Sequence, residues 1–264
     1  MWKQVLLLLL LLGSFSAFGE SLILIQGYQA KGTDWRSSGI SEALTSAGWI
    51  DGGQIDISRA PLVAPPGLRF FTVELTTDAQ LLRQMEQLKA HVAKVKAARP
   101  DESLILVGHS AGGVLGRLYM VQHPQESISA LITFASPHLG TESAELGLAL
   151  SQSPLGWATA LLGKEHDLLG RSEGLFFDLV RERPGSLLFW LNRQPHPRAR
   201  YVSVVRDERL SWVGDLVVPV WSQDMNMVEQ LRGRAVSIAS DGNHGLERKD
   251  GKLLLHILRR LRSS

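Results

Sequence analysis

The sequence predicts an α/β fold in which a mostly parallel open sheet carries helices on both faces and a helical insertion covers one edge. Three observations lead to this prediction. Short apolar runs alternate with amphipathic stretches along most of the chain, a rhythm typical of strand–helix–strand units. The run 104–107 is apolar throughout, as in a strand buried on both faces. A Gly-x-Ser-x-Gly segment follows that run and leads into a helical stretch.

The strands are predicted from aliphatic and β-branched runs bounded by turn residues. The first run, 22–25, ends at Gln26-Gly27-Tyr28. The later runs cover 69–75, 104–107, 128–134, 201–205 and 235–239. The proline-containing stretch 52–67 is predicted to be a long loop.

The helices are predicted from apolar residues at steps of three and four. The clearest covers 78–98, with an apolar stripe on one face, and ends before Pro100. The others are predicted from Thr33 or Asp34 to about Gly48, over 114–122 and over 252–262.

The alternation of strands and helices breaks between residues 141 and 197. This segment contains no predicted strand, but short apolar helical pieces at 146–150, 155–162, 175–180 and 187–191. The pieces are either ordinary packing helices or a lid and acyl-pocket wall over the carboxyl edge of the sheet, and both interpretations stay open. If the pieces form a lid and acyl-pocket wall, four aromatic side chains would suit an apolar substrate: Phe176, Phe177, Phe189 and Trp190.

Length and composition indicate a single domain over residues 20–264, with enough apolar residues for a core. The net charge is +2 and the basic residues are scattered apart from a C-terminal cluster, so we expect no nucleic-acid partner. Cysteine is absent, so stability must come from the core and not from disulfides.

Residues 1–19 are predicted to be a signal peptide. Lys3 supplies a positive charge, 5–12 is an apolar run, and Ala17-Phe18-Gly19 is a small-x-small cleavage sequence. The apolar run is short against the ~20 residues of a spanning helix. We therefore expect an exported protein, periplasmic or secreted, with an N-terminal membrane anchor as the alternative.

Ser110 is the candidate nucleophile. Gly108-x-Ser110-x-Gly112 lies between a predicted strand and a predicted helix, which is the context of a nucleophile elbow. A serine hydroxyl needs an adjacent base, usually a histidine that is oriented by a carboxylate. In this fold the three residues follow one another in the order Ser, Asp or Glu, His.

His244 is the predicted base, because it follows the last predicted strand inside a glycine-rich turn. His138 also follows a strand and is its competitor, but no candidate acid then completes the chain order. The predicted acid is Asp215, in a loop after the penultimate strand; Asp207, nearer the strand end, is the alternative.

Two backbone N–H groups are the candidate oxyanion donors. One belongs to Ala111, the residue after the nucleophile, and the other to Tyr28, in the loop after the first strand. A purely structural turn at Gly27 is the alternative interpretation of that loop.

Taken together, these segments resemble the α/β-hydrolase superfamily and, within it, bacterial triacylglycerol lipases. The resemblance spans residues 21–260 and rests on Gln26-Gly27-Tyr28, the elbow, the stretch 133–140 with its Ser-Pro-His-x-Gly, Gly214-Asp215 to Pro219, and Asn243-His244. It implies a Ser110–Asp215–His244 triad that hydrolyses carboxylic esters through an acyl-enzyme, with helices over the pocket.

The sequence departs from that family pattern in places. Gln26 stands where a histidine usually precedes the oxyanion glycine, and Leu246 stands where several such lipases have a calcium-binding carboxylate. We therefore expect no metal and no other cofactor.

The leading hypothesis is an esterase or lipase that cleaves apolar acyl esters and makes transient contact with a lipid interface. The alternatives are a phospholipid or thioester hydrolase or an acyltransferase with the same triad, and a non-catalytic lipid-binding protein.

Overall fold

The computed structural model describes residues 19–59, 62, 64–151, 164–207 and 215–263. The predicted signal peptide, apart from its last residue, lies outside the described residues. So do the predicted helical piece 155–162 and Gly214, the residue before the predicted acid.

Seven parallel strands form one sheet in the described chain, which confirms the predicted fold class. The strands are β1 (Glu20–Ile25), β2 (Ile50–Gln54), β3 (Leu68–Thr72), β4 (Ser103–His109), β5 (Ile128–Phe134), β6 (Arg200–Arg206) and β7 (Ala235–Ser240). Their order is β2-β3-β1-β4-β5-β6-β7. Because all strands run the same way, the loops at their carboxyl ends meet along one edge.

The helices pack on both faces of this sheet. They are α1 (Asp34–Ser37), α2 (Ile40–Ser46), α3 (Leu81–Ala98), α4 (Ala111–Gln122), α5 (Glu142–Ser151), α6 (Lys164–Leu179), α7 (Leu187–Leu191), α8 (Val220–Gln223) and α9 (Arg248–Ser263). Short 3₁₀ turns cover Met225–Met227 and Glu229–Leu231.

Alternate residues of β1 enter two separate cores, as the period of two in a strand requires. Ile23 and Ile25 pack on the face covered by α3 and α4, while Leu22 and Leu24 pack on the face covered by α2 and α9. The predicted apolar stripe of α3 is buried in the first of these cores.

Two local predictions were wrong, and each has a physical reason. The helix predicted from Thr33 or Asp34 to Gly48 is broken into α1 and α2 by Gly39, whose φ of +84° no continuing helix adopts. The predicted loop 52–67 begins inside a strand, β2, whose polar, glycine-containing sequence suits an exposed sheet edge and gives no apolar run.

The insertion between residues 141 and 197 contains no strand in its described part. Helices α5 and α6 pack against each other, and a Cβ on Gly147 would lie 2.9 Å from the Phe176 ring. Helix α6 also reaches the start of α3, where the Asp178 carboxylate accepts a 2.7 Å hydrogen bond from the Leu81 N–H. Because α3 begins on the carboxyl side of β3, this contact holds α6 at the edge where the loops meet.

No described helix is both long enough and apolar enough to cross a bilayer.

Replacing Asp178 by Asn should stabilise the protein more at pH 8 than at pH 5. Burial raises the pKa of the Asp178 carboxyl from 3.8 to about 6. The carboxyl therefore favours folding most when it is protonated, below pH 4, and this contribution is lost as the pH rises through 6. Asparagine keeps an acceptor for the Leu81 N–H without the charge. The gain in free energy of unfolding should be about 1 kcal/mol larger at pH 8.

Urea denaturation at the two pH values measures this difference. Asp101→Asn, at an exposed residue outside the helices, is the control and should change stability little at either pH. A gain for Asp178→Asn that is equal at both pH values would contradict the assignment of a buried titrating carboxyl.

Candidate active site

The turn at Ser110 is a strained strand-to-helix junction, as the sequence predicts. Ser110 has φ +53° and ψ −128°, a region that residues with a side chain rarely adopt. Its N–H donates a 2.9 Å hydrogen bond to the Phe134 carbonyl on the neighbouring strand. Glycine is required beside it, because a Cβ on Gly108 would lie 2.4 Å from the Gly113 backbone and one on Gly112 would lie 2.5 Å from the Gln26 carbonyl.

The side chains of Ser110, His244 and Asp215 meet in series, although the serine and histidine lie far apart in sequence. His244 Nε2 is 2.9 Å from Ser110 Oγ, and its Nδ1 is 2.8 Å from Asp215 Oδ2. The Asp215 side chain is fully buried, the His244 side chain is about one-fifth exposed (21%), and Ser110 is nearly covered. An alcohol, an imidazole and a carboxylate are thus hydrogen-bonded in the order required to activate the alcohol.

The carboxylate of Asp215 is fixed by backbone and side-chain donors. Its Oδ1 accepts hydrogen bonds from the N–H groups of Val217 and Val218, both at 2.9 Å, and its Oδ2 accepts one from Gln223 Nε2 at 3.1 Å. The alternative acid, Asp207, lies just past β6, where its N–H donates to the Ser240 carbonyl. The carboxylate that meets the His244 ring is that of Asp215.

The competing histidine, His138, lies in the core. It is fully buried, its Nε2 is 3.1 Å from Thr133 Oγ1, and burial holds its pKa well below the usual value. The structure therefore brings His244, and not His138, to the nucleophile.

His109 supports the His244 loop, a role that the sequence did not reveal. His109 Nε2 is 2.8 Å from the carbonyl oxygen of His244, and the two rings are 5.2 Å apart. Burial, together with the adjacent His244, lowers the pKa of His109 to about 4. The His109 ring is therefore neutral at neutral pH, with its proton on Nε2, since the facing carbonyl can only accept.

A buried ion pair holds the other side of the same loop. Arg206, at the end of β6, bonds both oxygens of Asp250 at 2.8 and 2.7 Å, and both side chains are fully buried. The guanidinium also donates to the Gly245 carbonyl at 3.1 Å, and the Arg206 N–H donates to Gln223 Oε1 at 2.8 Å. Through Gln223 the ion pair therefore connects the His244 loop with Asp215.

The sequence carries a weak signal for this pair: an arginine ends an apolar strand, and an aspartate lies in the first turn of the closing helix. The pairing itself depends on the register of the sheet and could not be read from the spacing.

The loop after β1 packs directly against the elbow. A Cβ on Gly27 would lie 2.8 Å from the Ser110 Cβ, so only glycine allows this approach. The Ala30 N–H closes a turn onto the Gly27 carbonyl at 3.2 Å, with Gln29 at φ +56°. The Tyr28 N–H takes no part in the bond that closes this turn.

Ala111 supplies the second candidate donor. It is the first residue of α4, where backbone N–H groups have no acceptor within the helix. One predicted oxyanion donor thus belongs to the residue that follows Ser110, and the other to the loop that packs against Ser110.

Gln26, the departure from the family pattern, anchors this loop to β3. In the amide orientation that satisfies both groups, its side-chain nitrogen donates to the Val73 carbonyl at 3.0 Å and its oxygen accepts from the Leu75 N–H at 2.8 Å. A neutral amide therefore joins the two segments at the position where the family usually has an imidazole.

Among the described residues, Phe176 is the predicted substrate-binding aromatic whose ring contacts the loop after β1. Phe176 is buried, and its ring packs edge-on against the Tyr28 ring with centroids 5.4 Å apart. The Phe189 ring is covered by the Arg193 guanidinium at 3.5 Å. Phe177 and Trp190 are exposed on the surface (47% and 39%). Phe176 thus contacts the loop beside Ser110, and a substrate-binding role for the four aromatic side chains stays a prediction.

A partly open cleft of about 340 Å³ adjoins these loops on the α1 side. Its walls include Ala30, Asp34, Trp35, His109 and Leu246. The indole N–H of Trp35 is buried and has no hydrogen-bond partner among the described residues.

Within the described part of the chain, no group of three or more histidine or acidic side chains is arranged to hold a metal ion. The expectation that the site uses no metal stays a prediction.

Comparisons with known proteins agree with this architecture. A family model described as "PGAP1-like alpha/beta domain" matches residues 17–145. The mature lipase BlEst2 of Bacillus licheniformis is similar in structure, with a TM-score of 0.60, 15% sequence identity and 92% of each chain covered. Est1E of Butyrivibrio proteoclasticus gives 0.59 at 12% identity, covering 94% of this chain and 90% of its own. No curated protein sequence matches the chain.

A third similar structure is the metagenomic carboxyl esterase MGS0156, with a TM-score of 0.57, 16% identity and coverage of 94% of this chain and 77% of its own. At such identities the likeness establishes the fold alone. The chain has the α/β-hydrolase fold, as the resemblance in the sequence implies.

Replacing Asp250 by Asn should destabilise the protein by about 3–5 kcal/mol, because it leaves the Arg206 guanidinium buried without its counter-charge. Chemical denaturation measures the loss. The matched control is Glu42→Gln, which breaks the 2.8 Å pair with Arg248 on the surface and should cost under about 1 kcal/mol. Equal costs for the two variants would contradict the structural role of the buried pair.

Proposed function

We propose that the protein is a serine carboxylic-ester hydrolase of the lipase or esterase type, acting on apolar acyl esters through an acyl-enzyme on Ser110. The observation that carries this proposal is the series of hydrogen bonds from Asp215 through His244 to the Ser110 hydroxyl. In the first step His244 Nε2 accepts the hydroxyl proton as Ser110 Oγ bonds to the ester carbonyl carbon.

The negative charge that then develops on the carbonyl oxygen needs preorganised donors. The N–H groups of Tyr28 and Ala111 are the candidates, and the loss of one such donor costs on the order of 100-fold or more in rate. The imidazolium is stabilised by Asp215, whose carboxylate is already oriented by the Val217 and Val218 N–H groups.

Collapse of the tetrahedral intermediate breaks the bond to the alcohol oxygen, which takes the proton from His244 Nε2 as it leaves. A water molecule then repeats the sequence on the acyl-enzyme, with His244 again accepting a proton, and releases the acid. An apolar acyl group can pack near Phe176, whose ring contacts the loop beside Ser110.

The same acyl-enzyme could form from a phospholipid or a thioester, or be attacked by an alcohol in place of water. These are alternatives within the same chemistry, and a panel of esters with one acyl group and varied leaving groups would separate them. A non-catalytic lipid-binding role is disfavoured, because such a protein has no need of three aligned reactive side chains.

Ser110→Ala should lower turnover of p-nitrophenyl butyrate by at least about 10⁴-fold, because the nucleophile is removed. It should also abolish labelling by a fluorophosphonate probe, with little change in melting temperature. Ser41→Ala, at a buried serine that donates to the Trp35 carbonyl, is the matched control and should keep both activities. Turnover retained by Ser110→Ala would refute the proposal.

Asp215→Asn should lower kcat by at least about 100-fold, because an amide cannot stabilise the imidazolium and favours the wrong tautomer of His244. Asp207→Asn should have a far smaller effect. Steady-state kinetics of both variants on the same ester measures the difference. A larger loss for Asp207→Asn would move the acid to that residue.

A further inference from the structure

Helix α6 of the insertion contacts the loop that carries the candidate oxyanion donor. The Tyr28 hydroxyl donates a 2.9 Å hydrogen bond to Ser172 Oγ, and the Tyr28 ring packs against Phe176. Ser172 and Phe176 are four residues apart and therefore lie on one face of the helix. Ser172 is fully buried, so this hydroxyl pair is shielded on the helix side.

Helix α6 is itself held firmly against the core. Asp178 accepts the buried hydrogen bond from the Leu81 N–H at the start of α3. Gly174 allows a close approach to the residue before α3, since a Cβ there would lie 2.4 Å from Gln80 Cγ. These contacts make α6 a fixed support and not a loosely attached cover.

On its exposed side the turn that α6 touches is bonded only within itself among the described residues, because Gln29 Nε2 donates a 3.0 Å hydrogen bond to the Tyr28 hydroxyl. Gln29 is exposed and adopts φ +56°, a region that is uncommon for residues other than glycine. Gln26 anchors the start of the turn to β3, but the Tyr28 peptide itself lies beyond that anchor. The Tyr28 side chain therefore connects this turn to α6, through its bond to Ser172 and its contact with Phe176.

We propose that the hydrogen bond between Tyr28 and Ser172 is a positioning contact. Through it, α6 orients the Tyr28 N–H toward the oxyanion that develops during the reaction. This inference rests on the proposed ester-hydrolase function. Ser172 and Phe176 do not touch the reacting atoms; they act through Tyr28. The insertion is then a structural part of the oxyanion hole as well as a wall of the substrate site.

Tyr28→Phe and Ser172→Ala test this contact. Each removes one hydroxyl and keeps the Tyr28 ring and backbone. A hydrogen bond contributes ~1 kcal/mol, so each variant should lower kcat for p-nitrophenyl butyrate about fivefold, with KM changed less than twofold. Tyr28→Phe also removes the 3.0 Å hydrogen bond that Gln29 Nε2 donates to the phenol. The double variant should therefore lose no more than Tyr28→Phe alone, because the bond to Ser172 is already absent from that variant.

A transition-state mimic separates positioning from general loss of structure. An alkylboronic acid that forms a tetrahedral adduct on Ser110 should bind each variant more weakly by the same factor as kcat falls. Ser172→Thr keeps a hydroxyl on α6 and should recover most of both losses. The matched control is Tyr201→Phe, on β6 and outside the site, which removes a 3.0 Å hydrogen bond from the Tyr201 hydroxyl to the Pro197 carbonyl.

Several outcomes would overturn the inference. Unchanged kcat and boronate affinity, at the level of Tyr201→Phe, would make the contact ordinary packing. Additive losses in the double variant would show that the two hydroxyls act separately. A raised KM with unchanged kcat would make the phenol a substrate-binding group.

Failure of the proposed function has a different signature. If the wild-type protein is not labelled by a fluorophosphonate, or if Ser110→Ala keeps turning over the ester, the hydrolase assignment and this inference fall together. If the wild-type protein is labelled and Ser110→Ala is inactive, any of those outcomes overturns this inference and leaves the hydrolase proposal standing.

Discussion

The site depends on one constraint: the end of β4, the start of α4 and the loop after β1 must approach one another around Ser110 more closely than side chains allow. Glycines at 27, 108 and 112 make this possible, because a Cβ at any of them would lie within 3 Å of the facing segment. The hydrogen bond from the Ser110 N–H to β5 keeps the strained turn in place. Since all strands end at one edge, the loops of Asp215 and His244 reach the same point, and the hydroxyl, imidazole and carboxylate can meet.

That meeting is stabilised by groups outside the three reactive side chains. His109 holds the His244 backbone from the elbow, and Arg206 holds the next carbonyl from β6. Gln223 joins the Arg206 backbone to Asp215. The His244 and Asp215 side chains are therefore fixed by a common buried network, so their alignment does not rely on the His244–Asp215 bond alone. Such support is what a hydrogen-bonded series needs to stay preorganised.

The sequence predicts those features that depend on local patterns. The buried strands, the stripe of α3 and the serine turn each have a signal within a few residues, and the loops of Asp215 and His244 follow from strand order. Features fixed by distant partners were missed. The edge strand β2 has no apolar run, and the Arg206–Asp250 pair depends on sheet register. Phe176 differs from its neighbour Phe177 in which face of α6 meets the Tyr28 loop.

The contacts of α6 with the core and with the Tyr28 loop limit how far this helix can move. The helix packs on α5 and binds the start of α3, yet it also touches the loop beside the nucleophile. Moving it as a unit would leave the Leu81 N–H and the Asp178 carboxylate unpaired, at a cost of ~1–3 kcal/mol for each buried group. These bonds therefore favour the position in which α6 stays packed against Tyr28.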